Sequence, residues 1–200
     1  MKYEDKGLLI DNPRQPQYEI DPLFINRWSP RLFDPKPIDD NTLNSIFEAA
    51  RWSMSSNNEQ PWLFLYATSE EDRKKYLDLL VEFNQNWAKN SPVIGFIFAR
   101  RRFEHNNKPN RWNGFDAGAA WMAMTLQARM FGLYTHGMGG FHADRVYEAL
   151  NVPEEDYEVY CAFVIGQFGE IESLPPEKQE KEKPNERRPF ESIVKKGSFK

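Results

Sequence analysis

The run Val93-Ile-Gly-Phe-Ile-Phe-Ala99 constrains the fold of this chain more than any other stretch. It is nearly continuous in apolar residues and rich in β-branched and aromatic side chains. A membrane-spanning helix needs about 20 apolar residues, so this short run instead predicts a strand buried on both faces. A buried strand needs other elements to cover it, and a chain of 200 residues can supply them in one compact domain.

The residues around this strand alternate between helical and strand-like spacing. Apolar residues spaced by three and four predict a helix that Asp39 or Asp40 caps and that runs to about Trp52. Further helices are predicted at about 70–83, 116–131 and 143–150, and strands at 62–67 and 157–168. The segments between them predict loops at 53–61 and 100–113 and a flexible turn at 136–141. This alternation indicates an α/β or α+β layer fold.

Polar segments that contain proline flank the predicted layers. Residues 1–22 carry Pro13, Pro16 and Pro22. Residues 170–188 hold six acidic and five basic residues with three prolines, a composition typical of exposed chain. We therefore interpret 1–22 as an extended N-terminal arm, 23–169 as the folded domain, and 170–200 as an extended C-terminal arm that completes the domain.

Composition argues against several classes of protein. The net charge of −4 does not favour a nucleic-acid partner. No apolar run suits a membrane span, and the apolar stretch near the N-terminus is too short for a signal peptide, so we expect a cytoplasmic protein. The lone Cys161 lies within a predicted strand and is interpreted as a buried structural thiol. The three histidines lack ligand spacing, so we expect no metal site. Redox chemistry would then need a bound cofactor.

Three groups of polar residues could bind a planar ligand that carries a phosphate. Arg27, Ser29 and Arg31 combine two guanidinium groups with a hydroxyl, which suits a phosphate, although a solvated basic turn has the same composition. A loop before the strand at 62–67 offers hydroxyls and amides, which suit a ring edge with both donors and acceptors; a polar turn is the alternative. Arg187 and Arg188 either form a surface pair or close a phosphate pocket. The loop residues are Ser55, Ser56, Asn57, Asn58 and Gln60.

Several segments between about residues 24 and 194 together resemble the FMN-dependent nitroreductase family. Their joint order and spacing carry the resemblance, because each piece alone is short. The segments are Arg27-Trp-Ser-Pro-Arg-Leu-Phe-Asp34, Glu48-Ala-Ala-Arg-Trp52, residues 55–62, Asn84-Gln-Asn-Trp87 before Ser91-Pro-Val93, the predicted helix 116–131, Gly137-Met-Gly-Gly-Phe141, Phe163-Val-Ile-Gly166 and Arg187-Arg-Pro-Phe190.

The resemblance implies an α+β, nitroreductase-like three-layer fold with a central, mostly antiparallel sheet flanked by helices. It also implies a homodimer with two FMN molecules in clefts at the subunit interface, so that 23–169 would be an FMN-binding domain. Arg27 and Ser29 would hold the FMN phosphate, and Arg187 and Arg188 would complete that site. Arg31 would lie near the flavin N1–O2 edge.

The remaining cofactor-binding residues are implied in the same way. Asn84 would contact the pyrimidine edge, and the backbone N–H of Gly139 would point at flavin N5. The loop at 55–58 would meet the flavin of the other subunit. Trp28, Gln60, Met138 and Gly140 complete the expected set. The chain departs from the common family pattern where Trp28 replaces a second basic residue, Met54 a proline and Gly139 an acidic residue.

The implied reaction is a ping-pong hydride transfer on FMN. NADH or NADPH would reduce the flavin and leave, and a small-molecule acceptor such as a nitroaromatic or a quinone would then take the electrons. Three alternatives stay open: a module that binds or sequesters flavin without useful turnover, a family member with another redox reaction such as dehalogenation, and a flavin-free protein that binds partners through its charged tail. No nucleic-acid or membrane partner is expected.

Overall fold

The computed structural model describes residues 12–199, which form helices on both faces of one sheet. The predicted N-terminal arm therefore lies partly outside the described residues. The helices are α1 (Pro22–Asn26), α2 (Asp40–Arg51), α3 (Glu70–Leu77), α4 (Glu82–Ala88), α5 (Asn113–Met130), α6 (Ala143–Leu150) and α7 (Pro176–Gln179). The strands are β1 (Phe33–Asp34), β2 (Trp62–Ala67), β3 (Val93–Arg100), β4 (Tyr134–Met138) and β5 (Tyr157–Phe168). Short 3-10 turns occupy Ser56–Asn58, Ile171–Ser173 and Phe190–Ser192.

β5 is the strand that organises the sheet. One of its edges pairs with β3, which pairs in turn with β2. Its other edge pairs with β4 over residues 162–166 and with β1 at residues 167–168. All four pairings are antiparallel. The α+β fold with a mostly antiparallel sheet flanked by helices is therefore confirmed.

Side chains of β3 alternate between two buried clusters, as strand geometry requires. Val93, Ile97 and Ala99 pack with apolar residues of α2 and α5. Ile94, Phe96 and Phe98 pack with apolar residues of α3 and α6. The sheet is therefore the middle of three layers, which explains why the sequence of β3 is apolar throughout.

Two predicted elements are wrong in detail. The helix expected at 70–83 is divided into α3 and α4, because Leu79–Val81 pair with the segment after β4 instead of continuing the helix. The N–H of Val81 donates to the carbonyl of Gly140 at 3.1 Å, and the N–H of His142 donates to that of Leu79 at 2.9 Å. The turn expected at 136–141 is a strand as far as Met138, because β4 pairs with β5 there.

One side of α5 carries an exposed apolar stripe. Phe115 is 73% exposed, and Met122 and Met130 are each 38% exposed. The opposite side of the helix packs on α2 and the sheet through small residues such as Ala120 and Ala128. Within residues 12–199, no helix combines the length and apolar character that a bilayer crossing requires.

Candidate functional site

The segment after α1 alternates inward and outward side chains. Trp28 is only 5% exposed, and its ring lies 6.1 Å from that of Tyr134 and 5.6 Å from that of Phe168. This anchored indole leaves Arg27 and Ser29 on the outside of the segment, where the guanidinium Nη1 of Arg27 lies 3.5 Å from the Oγ of Ser29. The structure thus brings these two predicted residues together and places the Trp28 side chain in the core.

The C-terminal arm brings Arg187 to the same place from the opposite end of the chain. Burial, and then the positive charge of Arg187, lower the pKa of Arg27 below its ordinary value. Arg187 and Arg188 also line a cavity of about 450 Å³ between the two arms. Arg14 lines it as well, although no sequence pattern singles this residue out. Arg187 therefore lies close enough to Arg27 for their charges to repel, while Arg27 itself contacts Ser29.

Glu182 fixes the C-terminal arm against the Arg27 segment. Its carboxylate accepts hydrogen bonds from the backbone N–H of Arg31 and, at 2.9 Å, from that of Leu32. Glu182 is buried, in contrast to the exposed arm predicted for 170–188. No sequence pattern separates it from its charged neighbours, because its role depends on backbone groups more than 100 residues away.

A second group of predicted residues lies where α4 meets the end of β4. The side-chain amide of Asn84 donates to the carbonyl of Gly140 at 3.0 Å, and Asn84 is only 9% exposed. Met138 is buried. Gly139 faces open space, since a Cβ atom built there would meet no heavy atom within 4 Å. The backbone of Gly139 is consequently accessible to a ligand.

Two contacts connect these groups. The guanidinium carbon of Arg31 lies 5.7 Å from the ring centroid of Phe83, which precedes Asn84 in α4. The imidazole Nδ1 of His136 donates to the carbonyl of Pro30 at 2.8 Å. Burial lowers the pKa of His136, in part opposed by this bond, so the ring is neutral near pH 7 and carries its proton on Nδ1. The Arg27–Arg31 segment and the end of β4 therefore form one continuous surface.

The third group, the loop at 55–60, is held elsewhere in the chain. The N–H of Ser56 donates to Asp116 of α5 at 3.1 Å, and burial raises the pKa of that carboxyl group. The N–H of Gln60 donates to the Oγ of Ser55 at 3.0 Å. Among described residues, the hydrogen bonds of this loop do not reach the Arg27–Arg31 segment. Asn57, Asn58 and Gln60 have positive φ angles of 56°, 56° and 49°, a conformation that asparagine tolerates better than most residues.

The loop at 55–60 also contacts the loop that follows β3. Both carboxylate oxygens of Glu59 are engaged, one by the backbone N–H of Glu104 and the other by His105 Nδ1 at 3.3 Å. These two loops line a further cavity, of about 570 Å³. No group of three or more His, Cys, Asp or Glu side chains within residues 12–199 is arranged to hold a metal ion.

Comparison with known proteins identifies the family to which this fold belongs. Residues 25–86 and 79–167 match the model of the nitroreductase family. This chain belongs to the nitroreductase family.

Two related proteins carry names that include nitroreductase. A Streptomyces coelicolor protein named "Putative NADH dehydrogenase/NAD(P)H nitroreductase" is 33% identical over 98 residues, which span 49% of this chain and 48% of that protein. A protein of the same description from Ralstonia nicotianae is 24% identical over 176 residues, which span 78% of this chain and 89% of that protein. The chain thus spans about half of the first relative and most of the second.

Solved structures extend the similarity to most of the chain. A crystal structure of an oxidoreductase containing FMN has 38% identity and a TM-score of 0.88, and the match covers 96% of this chain and 99% of the other. A nitroreductase family protein from Clostridium difficile 630 has 20% identity and a TM-score of 0.69, over 88% of this chain and 97% of the other. The second match supports the fold alone.

Proposed function

We propose that this protein is an FMN-dependent oxidoreductase that takes hydride from NADH or NADPH and reduces a nitroaromatic, a quinone or a related acceptor. The observation that carries the proposal is that Arg27, which contacts Ser29, and Arg187 are brought close together from opposite ends of the chain, since Arg14 bonds the carbonyl of Arg27 and shares that of Asn185 with Arg187. The whole-chain similarity to an oxidoreductase containing FMN supports the same cofactor.

The donor groups on this surface fit the parts of FMN. Among the described residues, neither Arg27 nor Arg187 forms an ion pair with a carboxylate, so both can neutralise a phosphate. Asn84 offers an amide beside the exposed backbone of Gly139, and groups of these kinds can bind the polar edge of a flavin. We propose that the C-terminal arm completes the domain by supplying Arg187, and that Arg188 supports it.

Bound FMN would supply the hydride chemistry, accepting from NAD(P)H in one half-reaction and donating to the acceptor in the next. The residues of this chain would orient the ring and set its electrostatic surroundings. Arg31 provides a fixed positive charge, which favours the negative charge that arrives with hydride. The open position at Gly139 leaves room for a nicotinamide and then an acceptor to approach in turn.

We propose that the active form is a homodimer in which a second copy covers the apolar stripe of α5. Phe115 and Met54 are 73% and 79% exposed, and such a patch marks an interaction surface. The loop at 55–60 is tied to the same helix through Asp116. We propose that a partner on this face brings that loop to the flavin surface of the other copy, since among described residues its own hydrogen bonds do not reach the Arg27–Arg31 segment.

A single substitution tests the dimer. Phe115→Glu introduces a charge at the most exposed residue of the stripe and should dissociate the dimer and lower the flavin content together. Phe199→Glu makes the same change at a residue that is 96% exposed at the end of the chain and should alter neither property. Sedimentation velocity and flavin absorbance measure both properties. A Phe115→Glu variant that stays dimeric would exclude this face as the interface.

The visible spectrum tests the catalytic proposal. The purified protein should show flavin bands, and these should bleach when NADH or NADPH is added without oxygen and return when a quinone or nitroaromatic compound follows. Bands that persist would favour a flavin-binding module without turnover. Bands that bleach but return with none of these acceptors would indicate another redox reaction. A protein that stays colourless with added FMN would refute the proposal.

A further inference from the structure

Arg14 ties both arms of the chain to the end of α1. Its guanidinium Nε donates to the carbonyl of Asn185 at 2.8 Å, and its Nη1 donates to the carbonyls of Ile25 at 2.9 Å and Arg27 at 2.6 Å. The last two carbonyls belong to the C-terminal end of α1, where helical partners run out. One planar side chain therefore fixes the backbone that carries Arg27 and the backbone just before Arg187.

The same three arginines crowd their charges together. The carbonyl of Asn185 accepts from Arg14 and also, at 3.2 Å, from Nη1 of Arg187. Burial, and then the charges of Arg187 and Arg27, lower the pKa of Arg14 to about 10, while Glu186 acts in the opposite direction. None of the three forms an ion pair within the part of the chain that the structure describes. Such crowding is relieved when an anion binds among the cations.

We infer that Arg14 is a positioning residue of the phosphate site, since it ties together the two backbone segments that carry Arg27 and Arg187. The inference rests on the proposed function, because it takes FMN to be the phosphate-bearing ligand. It adds a residue from the N-terminal arm, thirteen positions before Arg27, whose contacts with the site are made through backbone carbonyls.

Comparison of two flavins separates this role from a general structural one. FMN and riboflavin share the ring system and differ in the phosphate, so the ratio of their affinities isolates the phosphate site. The apoprotein of the full chain is titrated with each flavin, and quenching of flavin fluorescence gives the dissociation constants. Arg14→Ala should weaken FMN binding by about tenfold or more and leave riboflavin binding within about twofold, which lies within the error of such a comparison.

Arg14→Lys keeps the charge but removes the planar fork, whose separate donors reach carbonyls on both arms. It should therefore lose part of the preference for FMN and keep riboflavin affinity. Because lysine is a smaller change than alanine, Arg14→Lys tests the same role if Arg14→Ala fails to fold. Arg145→Ala removes an exposed arginine from α6 and should match the unsubstituted protein with both flavins.

The outcomes distinguish the inference from the function on which it rests. Equal losses for FMN and riboflavin in either Arg14 variant would overturn the inference, because they would mark a purely structural role. Unchanged affinities in both variants would overturn it as well. If the unsubstituted protein bound neither flavin, or bound riboflavin as tightly as FMN, the phosphate site itself would fail and the inference would fall with it.

Discussion

Replacement of Gly140 by alanine tests the packing where α4 meets the end of β4. A Cβ atom at Gly140 would lie 2.7 Å from Nδ2 of Asn84 and 2.8 Å from Cγ2 of Val81. Carbon atoms prefer separations of about 3.5–4.0 Å, so both neighbours must move. Val81 is β-branched and stiff at χ1, and Asn84 is buried and bonded to the carbonyl of Gly140 at 3.0 Å.

The magnitude follows from these two contacts. Overpacking of a filled site costs about 1–3 kcal/mol, and displacement of the Asn84 amide removes a hydrogen bond worth about 0.5–1.5 kcal/mol. We expect Gly140→Ala to lower the free energy of unfolding by about 2–4 kcal/mol. In a domain of this size each kcal/mol corresponds to about 2–4 °C in Tm. Flavin affinity should fall as well, because Asn84 is displaced.

Gly139→Ala is the matched control. It adds the same atom at the adjacent position, where it would meet nothing within 4 Å, and neither glycine has a left-handed φ angle. Its free energy of unfolding should stay within about 0.5 kcal/mol of the original. Guanidinium denaturation of both apoproteins at one fixed protomer concentration gives the comparison. If Gly140→Ala proved no less stable than Gly139→Ala, the packing argument would be wrong.

Three further predictions concern groups whose pKa values are shifted by burial. Because the pKa of His136 is lowered, its imidazole takes up a proton in the unfolded chain before it does so in the folded one, and stability should fall as the pH drops below about 6.5. Denaturation midpoints at two pH values should fall less in His136→Phe than in the original protein, and an equal fall in both would contradict this. The pKa of Asp116 is raised by burial, so its charge destabilises the folded protein at pH 7. Asp116→Asn keeps an acceptor for the N–H of Ser56 and should be more stable at pH 7, by a margin that vanishes as the pH falls far enough to protonate Asp116. A variant that is less stable at pH 7 would argue against this. Burial raises the pKa of Cys161 to about 11, so at pH 8 the native thiol should react with an aromatic disulfide about a hundredfold more slowly than the denatured one, and equal rates would show that the thiol is exposed.

The elements of the fold that sequence predicted well are those whose own residues dictate their conformation. The apolar run of β3 and the helical spacing of α2 leave few alternatives, and their boundaries were predicted to within about two residues, the usual scatter of such assignments. The break between α3 and α4 could not be predicted in the same way. It depends on pairing between Leu79–Val81 and Gly140–His142, which are remote in sequence.

The same distinction applies to the site. Arg27, Ser29 and Arg187 could be chosen from sequence, because their residue types suit a phosphate and the family resemblance supplies their order. Arg14 and Glu182 could not, since they act on backbone groups that any residue would provide. A polar, proline-containing arm gives no signal that one of its charged residues is buried against a distant carbonyl or N–H.

The position of β5 in the chain has a consequence for biosynthesis. Among the described strands, β1 and β4 pair with β5 alone. Both must therefore wait for β5 before they can pair, and Phe33 waits until Phe168 has been made. The ribosome adds about 5–20 residues per second. Until it has made β5, the antiparallel pair β2–β3 is the only part of the sheet, within residues 12–199, that can form. A nascent chain halted before Tyr157 would expose the edge of β3, and such unpaired edges recruit other chains.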